Sequence, residues 1–419
     1  MNQMYNSVSS PSSEHRSSPP SAKVYLSLLA LCLCNAVDGI ETLAFGAVLT
    51  GFVNPGSGQR LDKEPWLSAM LTTSVFIGML VGGLVAGRLA DKFGRKPILL
   101  CCMLLNATCG LGSFFTPLLP IHVMRQVFWL FGFRLVGGLG IGGSIPCTYA
   151  LVAELTDTNE SVHHRERRVT ILGTAWTLGS IFTATSAWWM LDPKDNTKTW
   201  PWFFFWCSTM AWTALGLTWA FVHETHILTP HQDVDGEGED FPKFQVVCFC
   251  LVWFAQNFGS YGPLIWIGTI FAHLGYEDPY LVSLLASSFA LVGNLVAYLT
   301  MHYVSHKLLL IVGMGISACA ALGFGLPGLP SALTVLSACV FTASVGLSWI
   351  SLGVLSAEAF PTRVRATYFG ASSAFGRLGS ITANGVNPLL LAHGLILPLA
   401  GLVLLLGASI VWKGIGAKM

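Results

Sequence analysis

Twelve apolar stretches, each long enough to cross a lipid bilayer, follow one another along this chain and leave it few possible folds. A bilayer-spanning helix needs about 20 largely apolar residues. Only 10% of the 419 residues are charged, whereas about 25% are charged in a soluble protein. The sequence therefore predicts an all-α integral membrane protein with twelve transmembrane helices. The predicted spans are residues 24–53, 66–90, 97–119, 121–156, 170–191, 201–222, 244–274, 279–303, 308–326, 332–358, 366–392 and 395–414.

The spans fall into two sets of six on either side of a polar segment. Residues 1–22 are rich in Ser and Pro, which predicts a disordered tail. Residues 23–222 hold the first six-helix bundle, the acidic residues 223–243 form a solvated linker, and residues 244–419 hold the second bundle. We expect these bundles to be related by pseudo-symmetry.

The basic residues predict how the chain is oriented in the membrane. Cytosolic loops carry an excess of Lys and Arg. If both termini are cytosolic, fifteen of the 22 Lys and Arg residues fall on the cytosolic side. Five fall outside, and Arg134 and Arg377 lie within spans. The tail and the linker are therefore expected in the cytosol.

A tight basic loop joins the second and third spans at the cytosolic side. It reads Gly-Arg-Leu-Ala-Asp-Lys-Phe-Gly-Arg-Lys over residues 87–96. The two glycines, the acid and the basic cluster resemble the corresponding loop of the major facilitator superfamily of transporters. An imperfect copy stands 211 residues later, at residues 298–307, where His302 replaces the acid and Ser305 the second glycine. We expect a strong acid–base latch in the first half and a weaker one in the second.

Two carboxylates lie in the middle of the first span. Asp38 and Glu41 are three residues apart and share a helix face. Asp38 lies roughly 21 Å into the span, and Arg134 reaches a similar depth in the fourth span. A charge at that depth costs about 2.5–3.5 kcal/mol, which favours a functional role. One carboxylate could take up a proton, with Arg134 as its switching partner or as a ligand for a substrate carboxylate. Alternatively, a fixed ion pair only positions the first and fourth helices.

Further candidates for the substrate site come from the second half. Arg377 is the second intramembrane cation, and it either contacts an anionic substrate or balances the charge of that half. The remaining candidates are polar or aromatic residues within spans: Asn257, Tyr261, Trp266 and Trp349. After Arg134, the glycines in Gly-Gly-Leu-Gly-Ile-Gly-Gly, residues 137–143, predict a close approach by another helix.

Longer motifs resemble one branch of the superfamily. They are Asp-Gly-Ile-Glu at 38–41, Tyr-Gly-Pro-Leu-Ile-Trp at 261–266 and Ala-Glu-Ala-Phe-Pro-Thr-Arg-Val-Arg at 357–365. They resemble the synaptic-vesicle-protein-related and aromatic-acid/proton symporter branch, which is similar to the sugar porters. The resemblance implies a charge network that closes a cytosolic gate. The charged members would be Asp91, Arg95, Glu154, Arg168, Glu358 and Arg365, and the gate would also contain the loop glycines Gly87 and Gly94.

These observations favour a secondary transporter that moves a small organic solute by alternating access. We expect an organic anion as the solute and protons as the coupling ion. The alternatives are a sugar transporter and a non-transporting vesicle protein that acts as a partner or receptor. The sequence shows no nucleotide-binding loop, paired catalytic groups or metal cluster, so we expect no enzyme activity, cofactor, metal or nucleic acid. A single chain in the bilayer of the plasma membrane or of a vesicle could transport alone.

Overall fold

A computed structural model describes residues 22–53, 64–118, 123–155, 162–194, 198–224, 243–300, 303–326, 328–360 and 365–415. These residues form twelve long α-helices, which confirms the predicted number of spans. The predicted tail up to residue 21 and most of the predicted linker, residues 225–242, lie outside the described residues.

The helices agree closely with the apolar stretches. They are α1 (Ala22–Val53), α2 (Pro65–Phe93), α3 (Arg95–Phe115), α4 (Val123–Glu154), α5 (Val162–Met190), α6 (Trp200–Phe221), α7 (Lys243–His273), α8 (Pro279–Thr300), α9 (His306–Phe324), α10 (Ser331–Ala359), α11 (Arg365–Leu391) and α12 (Ile396–Gly414).

Helix α5 is the one that begins well before its predicted span, at residue 162 instead of 170. The added segment is His-His-Arg-Glu-Arg-Arg, which is too polar to lie in a bilayer. Arg and Glu are good helix formers, so the helix continues although its apolar part has ended. Hydropathy marks where a helix enters the membrane, and helix propensity decides where it begins.

Eight helices in the described part of the chain are long and apolar enough to cross a membrane by composition alone. Helices α5, α6, α7 and α11 fall outside this set. Helix α7 shows one reason, because Gln256, Asn257, Ser260 and Tyr261 are all buried in it. Its polar groups face the protein interior, as they must in a bilayer.

The glycines that follow Arg134 bring α4 directly against α2. A Cβ atom at Gly138 would collide with the carbonyl group of Val75, and one at Gly142 with that of Met79. The two backbones can approach this closely only because no side chain stands between them. The predicted close approach is confirmed, with α2 as the partner of α4.

The apolar core shows how the two sets of six helices meet. We call the side at which α1 begins and α12 ends the terminal face, and the opposite side the far face. One buried cluster combines residues of both halves, from Ile40 to Leu397, toward the far face. Toward the terminal face, one cluster belongs only to the first half and another only to the second half. The halves therefore share a core at the far face and have separate cores at the terminal face.

Backbone contacts close the far face. A Cβ atom at Gly46 in α1 would collide with the carbonyl oxygen of Ile265 in α7. Tyr280 in α8 donates its hydroxyl proton to the carbonyl oxygen of Ala47, at 3.1 Å. At the terminal face, an apolar groove of about 460 Å³ lies between α1, α5 and α8. Contacts between the halves therefore close the far face, and the apolar groove lies between α1, α5 and α8 at the terminal face.

Candidate functional site

Asp38 is fully buried in the first half and is held by polar side chains from two neighbouring helices. Asn106 of α3 donates from Nδ2 to its Oδ1, at 3.3 Å. Ser144 of α4 lies with its hydroxyl oxygen 2.6 Å from Asp38 Oδ2. Among the described residues, no cation lies within ion-pair distance of this carboxylate. Asp38 therefore belongs to a buried, hydrogen-bonded site without a direct counter-ion.

Glu41 pairs with Arg134, as the sequence had suggested for one of the two carboxylates. Arg134 Nη1 lies 3.7 Å from Glu41 Oε2 and donates to the backbone carbonyl oxygen of Glu41 at 2.8 Å. The guanidinium also lies over the ring of Phe45, with 5.9 Å from Cζ to the ring centroid. Both charged side chains are about 95% buried. The two intramembrane carboxylates thus have different surroundings, although they share one helix.

The Glu41–Arg134 pair leaves hydrogen-bonding capacity unused. Glu41 Oε1 and Arg134 Nε are buried, and neither has a hydrogen-bond partner within the part of the chain that the structure describes. A void of about 10 Å³ lies beside them and is also lined by Ser113. That volume is at the lower limit of what one water molecule requires. A single water could reach polar groups of this pair.

Aromatic side chains from both halves surround Tyr261 in α7. Its ring lies 5.2 Å from that of Phe76 in α2, 6.0 Å from that of Trp176 in α5 and 5.6 Å from that of Trp349 in α10, measured between centroids. Trp253 extends the group, with its ring 5.8 Å from that of Trp349. We call these five residues the aromatic cluster. It lies where the two halves face each other near the middle of the helices.

Arg377 of α11 provides a positive charge beside the aromatic cluster. Its Cζ lies 5.8 Å from the centroid of the Tyr261 ring. Its Nη1 is buried, and no described residue accepts a hydrogen bond from it. A guanidinium group with an unused donor is able to bind a carboxylate, because its fork geometry matches that anion. Arg377 and Tyr261, both predicted from the sequence, are brought together here.

The other candidates in the second half use their polar atoms inside the protein. Trp266 donates its indole N–H to Asn384 at 3.1 Å. Asn257 accepts from Ser380 and donates to the backbone of Trp253. Trp349 donates to Ser260 at 3.2 Å, while its ring remains in the aromatic cluster. Trp349 therefore lies at the interface between the halves, whereas Trp266 and Asn257 lie within the helix packing of the second half.

The basic loop at the terminal face is held by hydrogen bonds to a residue that was not among the predicted gate residues. Gly94 separates α2 from α3 with a φ of +95°, a conformation that glycine adopts without strain. Glu224, just after α6, accepts from the backbone N–H groups of Arg95 and Lys96, each at 2.9 Å. A carboxylate at a helix N-terminus satisfies unpaired amides and complements the helix dipole. The loop is therefore tied to the end of α6.

The remaining gate candidates lie around the terminal face, but few of their contacts are described. The side chains of Asp91, Glu154 and Arg365 lie outside the described residues. Glu358 of α10 forms an ion pair with His306 at 3.3 Å, if that histidine is protonated. The remaining members, Gly87 and Arg168, lie in α2 and α5. His302, the expected weak point of the second latch, also lies outside the described residues.

Sequence reasoning missed several of these residues. Asn106 and Ser144 were not considered as partners of Asp38, although a polar residue in the middle of a span is itself a signal. Glu224 was not among the predicted gate residues. An acidic residue directly after an apolar span, facing a basic loop, could have indicated the cap. Trp176 and Phe76 carry no comparable signal, because aromatic residues are common in membrane helices.

Similar proteins of known class span most of this chain. The inner membrane metabolite transport protein YgcS of Escherichia coli (strain K12) is 25% identical over 427 residues, which cover 89% of this chain and 90% of that protein. Organic anion transporter 3 of Homo sapiens is 26% identical over 390 residues, which cover 81% of this chain and 67% of that protein.

The fold has a solved counterpart. The crystal structure of a D-xylose–proton symporter matches with a TM-score of 0.79 at 20% identity, covering 94% of this chain and 98% of that one. At that identity the likeness shows the fold alone. The sequence profile of the Major Facilitator Superfamily matches residues 31–384. The chain therefore belongs to the Major Facilitator Superfamily and is a membrane transporter of small solutes, not an enzyme.

Proposed function

We propose that this protein is a proton-coupled transporter of a small organic anion that works by alternating access. The substrate would bind between the two halves, where the aromatic cluster and Arg377 meet. The name of the similar organic anion transporter supports an anionic solute, and the buried carboxylates of α1 support proton coupling. In this superfamily, substrate sites lie near the middle of the membrane between the repeats.

The single observation that carries the proposal is the unused donor of Arg377. Leaving the buried Nη1 donor of this charged group without an acceptor is costly, and the cost is recovered when an anion binds. The flat ring of Tyr261 beneath the cation can also contact an apolar or aromatic part of the solute. A neutral sugar would leave the charge uncompensated. The site therefore favours an anion over a sugar.

The buried carboxylates of α1 supply the proton site in this proposal. Either Asp38 or Glu41 takes up the proton, and Arg134 is the charged partner of Glu41. Protonating one of them changes the net charge within the first half, where water has little access. Such a change can bias the choice between two arrangements of the helices.

The terminal face is assigned to the cytosol, because most Lys and Arg residues would then be cytosolic. The contacts that close the far face would then lie on the side opposite the cytosol. Both termini would be cytosolic, and the protein would function in the plasma membrane or in a vesicle membrane. A single chain contains both halves of the proposed site.

Uptake into proteoliposomes tests the proposal. Purified protein is offered radiolabelled aromatic acids, nicotinate, sugars and organic cations, each with and without an imposed pH gradient. We expect gradient-driven uptake of an anion and none of sugars or cations. The variant R377Q, which removes the charge, should lose most anion uptake. R125Q provides a matched control, because Arg125 is an exposed arginine at the start of α4, near the far face.

Three results would count against the proposal. Gradient-driven sugar uptake would favour the sugar transporter. Anion uptake that R377Q leaves unchanged would place the substrate elsewhere. If no solute class responds to a gradient, the protein is better described as a vesicle membrane partner.

A further inference from the structure

The apolar groove at the terminal face is lined by both halves of the chain. Helices α1 and α5 belong to the first half and α8 belongs to the second. Each helix contributes a leucine that is more than half exposed: Leu29 on α1 at 61%, Leu178 on α5 at 53% and Leu295 on α8 at 56%. So much apolar surface in one groove is unfavourable in water, so the groove calls for an apolar occupant.

The polar residues in the wall of the groove use their hydrogen-bond donors within the protein. Thr174 donates its hydroxyl proton to the carbonyl oxygen of Thr170 at 2.9 Å. Asn294 donates from Nδ2 to the hydroxyl group of Thr177 at 2.8 Å, which joins α8 to α5. A polar solute in the groove would therefore find few free partners and would lose its hydrogen bonds to water. A hydrocarbon chain loses nothing there.

The position of the groove along the helices supplies such a chain. All of its lining residues fall within the predicted spans 24–53, 170–191 and 279–303. The acyl chains of a bilayer reach this depth, and they are as apolar as the leucines that they would contact. We therefore take the occupant of the groove to be a lipid chain.

The end of the groove nearest the terminal face carries positive charge and two phenol groups. Arg167 of α5 precedes the lining residue Ile171 by four positions and shares its helix face. Arg167 is exposed and forms no ion pair with another described residue, and Lys23 is exposed at the start of α1. Tyr25 and Tyr298 line the same end of the groove. Tyrosines are enriched at the depth of the lipid headgroups, so this end lies at that level.

We propose that the groove is a binding site for an anionic phospholipid, whose acyl chain lies between α1, α5 and α8 and whose phosphate group lies beside Arg167. The guanidinium fork of Arg167 matches phosphate geometry, and the ammonium group of Lys23 adds positive charge nearby. Basic residues at the cytosolic end of membrane helices attract anionic headgroups in this way. The bound lipid would contact both halves. The inference does not depend on which solute the protein transports.

The two parts of the site have different roles. The apolar groove accepts the chain of any phospholipid and does not distinguish one headgroup from another. Each basic residue near the membrane surface favours an anionic lipid over a zwitterionic one by about fivefold. Selectivity therefore comes from Arg167 and Lys23, and the place at which the lipid binds is set by the groove.

Native mass spectrometry of the full chain in detergent tests the proposal. The protein is titrated separately with dioleoyl phosphatidylglycerol and with dioleoyl phosphatidylcholine, which carry the same chains and differ in headgroup charge. We expect phosphatidylglycerol to bind more tightly, by about fivefold or more. Glycerol phosphate, which has a phosphate group but no acyl chain, should not displace it even in large excess.

Variants of Arg167 test the headgroup contact. R167Q should weaken the binding of phosphatidylglycerol about fivefold and leave that of phosphatidylcholine unchanged, whereas R167K, which keeps the charge, should restore most of the loss. The matched control is R125Q, because Arg125 is also an exposed arginine but lies near the far face.

A variant of Leu178 tests the chain contact. L178W places a bulky ring in the groove and should weaken the binding of both lipids by the same factor. Its control is L402W, because Leu402 on α12 is also 53% exposed but lies outside the groove. Since Arg167, Leu178 and Leu402 are exposed, their variants should fold, which gel filtration checks.

Four results would overturn the proposal. Equal binding of the two lipids, or a loss in R167Q no larger than that in R125Q, would mean that Arg167 selects no headgroup. Equal binding by L178W and L402W would place the acyl chain elsewhere. Displacement of phosphatidylglycerol by glycerol phosphate would identify a site for a soluble phosphate compound instead of a lipid.

Discussion

Substituting Gly46 by alanine should shift the protein away from the form that is closed at the far face. The added methyl group would meet the carbonyl oxygen of Ile265, with the carbonyl carbon 3.0 Å away. The α1 and α7 backbones would have to separate by roughly 1 Å to restore an ordinary contact distance. Overpacking of this kind costs about 1–3 kcal/mol.

The overpacking cost of G46A applies only to the form that is closed at the far face. Alanine also favours the helix by about 1 kcal/mol over glycine, but this gain is present whether the far face is open or closed and cancels in the ratio of the two states. The clash exists only when the far face is closed. The equilibrium between the states should therefore move by about 5–150-fold toward the form that is open at the far face.

Pulsed electron paramagnetic resonance can measure the shift in a variant whose native cysteines have been replaced. One pair of spin labels at the exposed Leu118 and Leu274 reports on the far face, and another at Phe93 and Tyr303 reports on the terminal face. In G46A the far-face distance should lengthen and the terminal-face distance should shorten. The control is G132A, since a Cβ there meets nothing within 4 Å. Distances in G46A that equal those of wild type and G132A would refute the reasoning.

Three further substitutions probe other contacts. E224Q weakens the carboxylate cap on α3 and should cost about 1 kcal/mol, seen as a lower thermal unfolding temperature in detergent; an unchanged temperature would mean that the cap contributes nothing. E41Q leaves Arg134 buried without its counter-ion and should cost about 3–5 kcal/mol, so a stable E41Q protein would contradict the assigned ion pair. Y280F removes the hydroxyl that binds Ala47 and should open the far face slightly, by about 0.5–1.5 kcal/mol, in the same distance measurement; equal distances would argue against that contact.

The fold was largely predictable because the bilayer imposes a strict rule. Every backbone amide inside the membrane must be satisfied within its own segment, so each apolar run of sufficient length becomes a helix. Helix α5 begins eight residues before its predicted span, because a polar helix can continue into water without any hydropathy signal. The rule applies to the part of a helix that lies in the lipid, and it does not predict where a helix begins or ends in water.

The candidate site was only partly predictable. Asp38, Glu41, Arg134 and Arg377 stand out because charges are rare within membrane spans. Their pairing could not be inferred, since Asp38 and Glu41 share a helix face and either could have reached Arg134. Only the packing of α3 and α4 gives Asp38 its hydrogen bonds and leaves Glu41 to the arginine.

The division of the core bears on how the chain acquires its structure during synthesis. Each terminal-face core is complete within one half of the sequence, so the first can form before the second half has been made. The far-face core, which needs Tyr261 and Trp266 as well as Phe45, has to wait for α7. The first half must therefore persist for a time with part of its apolar surface uncovered. In a bilayer the surrounding acyl chains can cover that surface, which makes the delay far less hazardous than it would be in water.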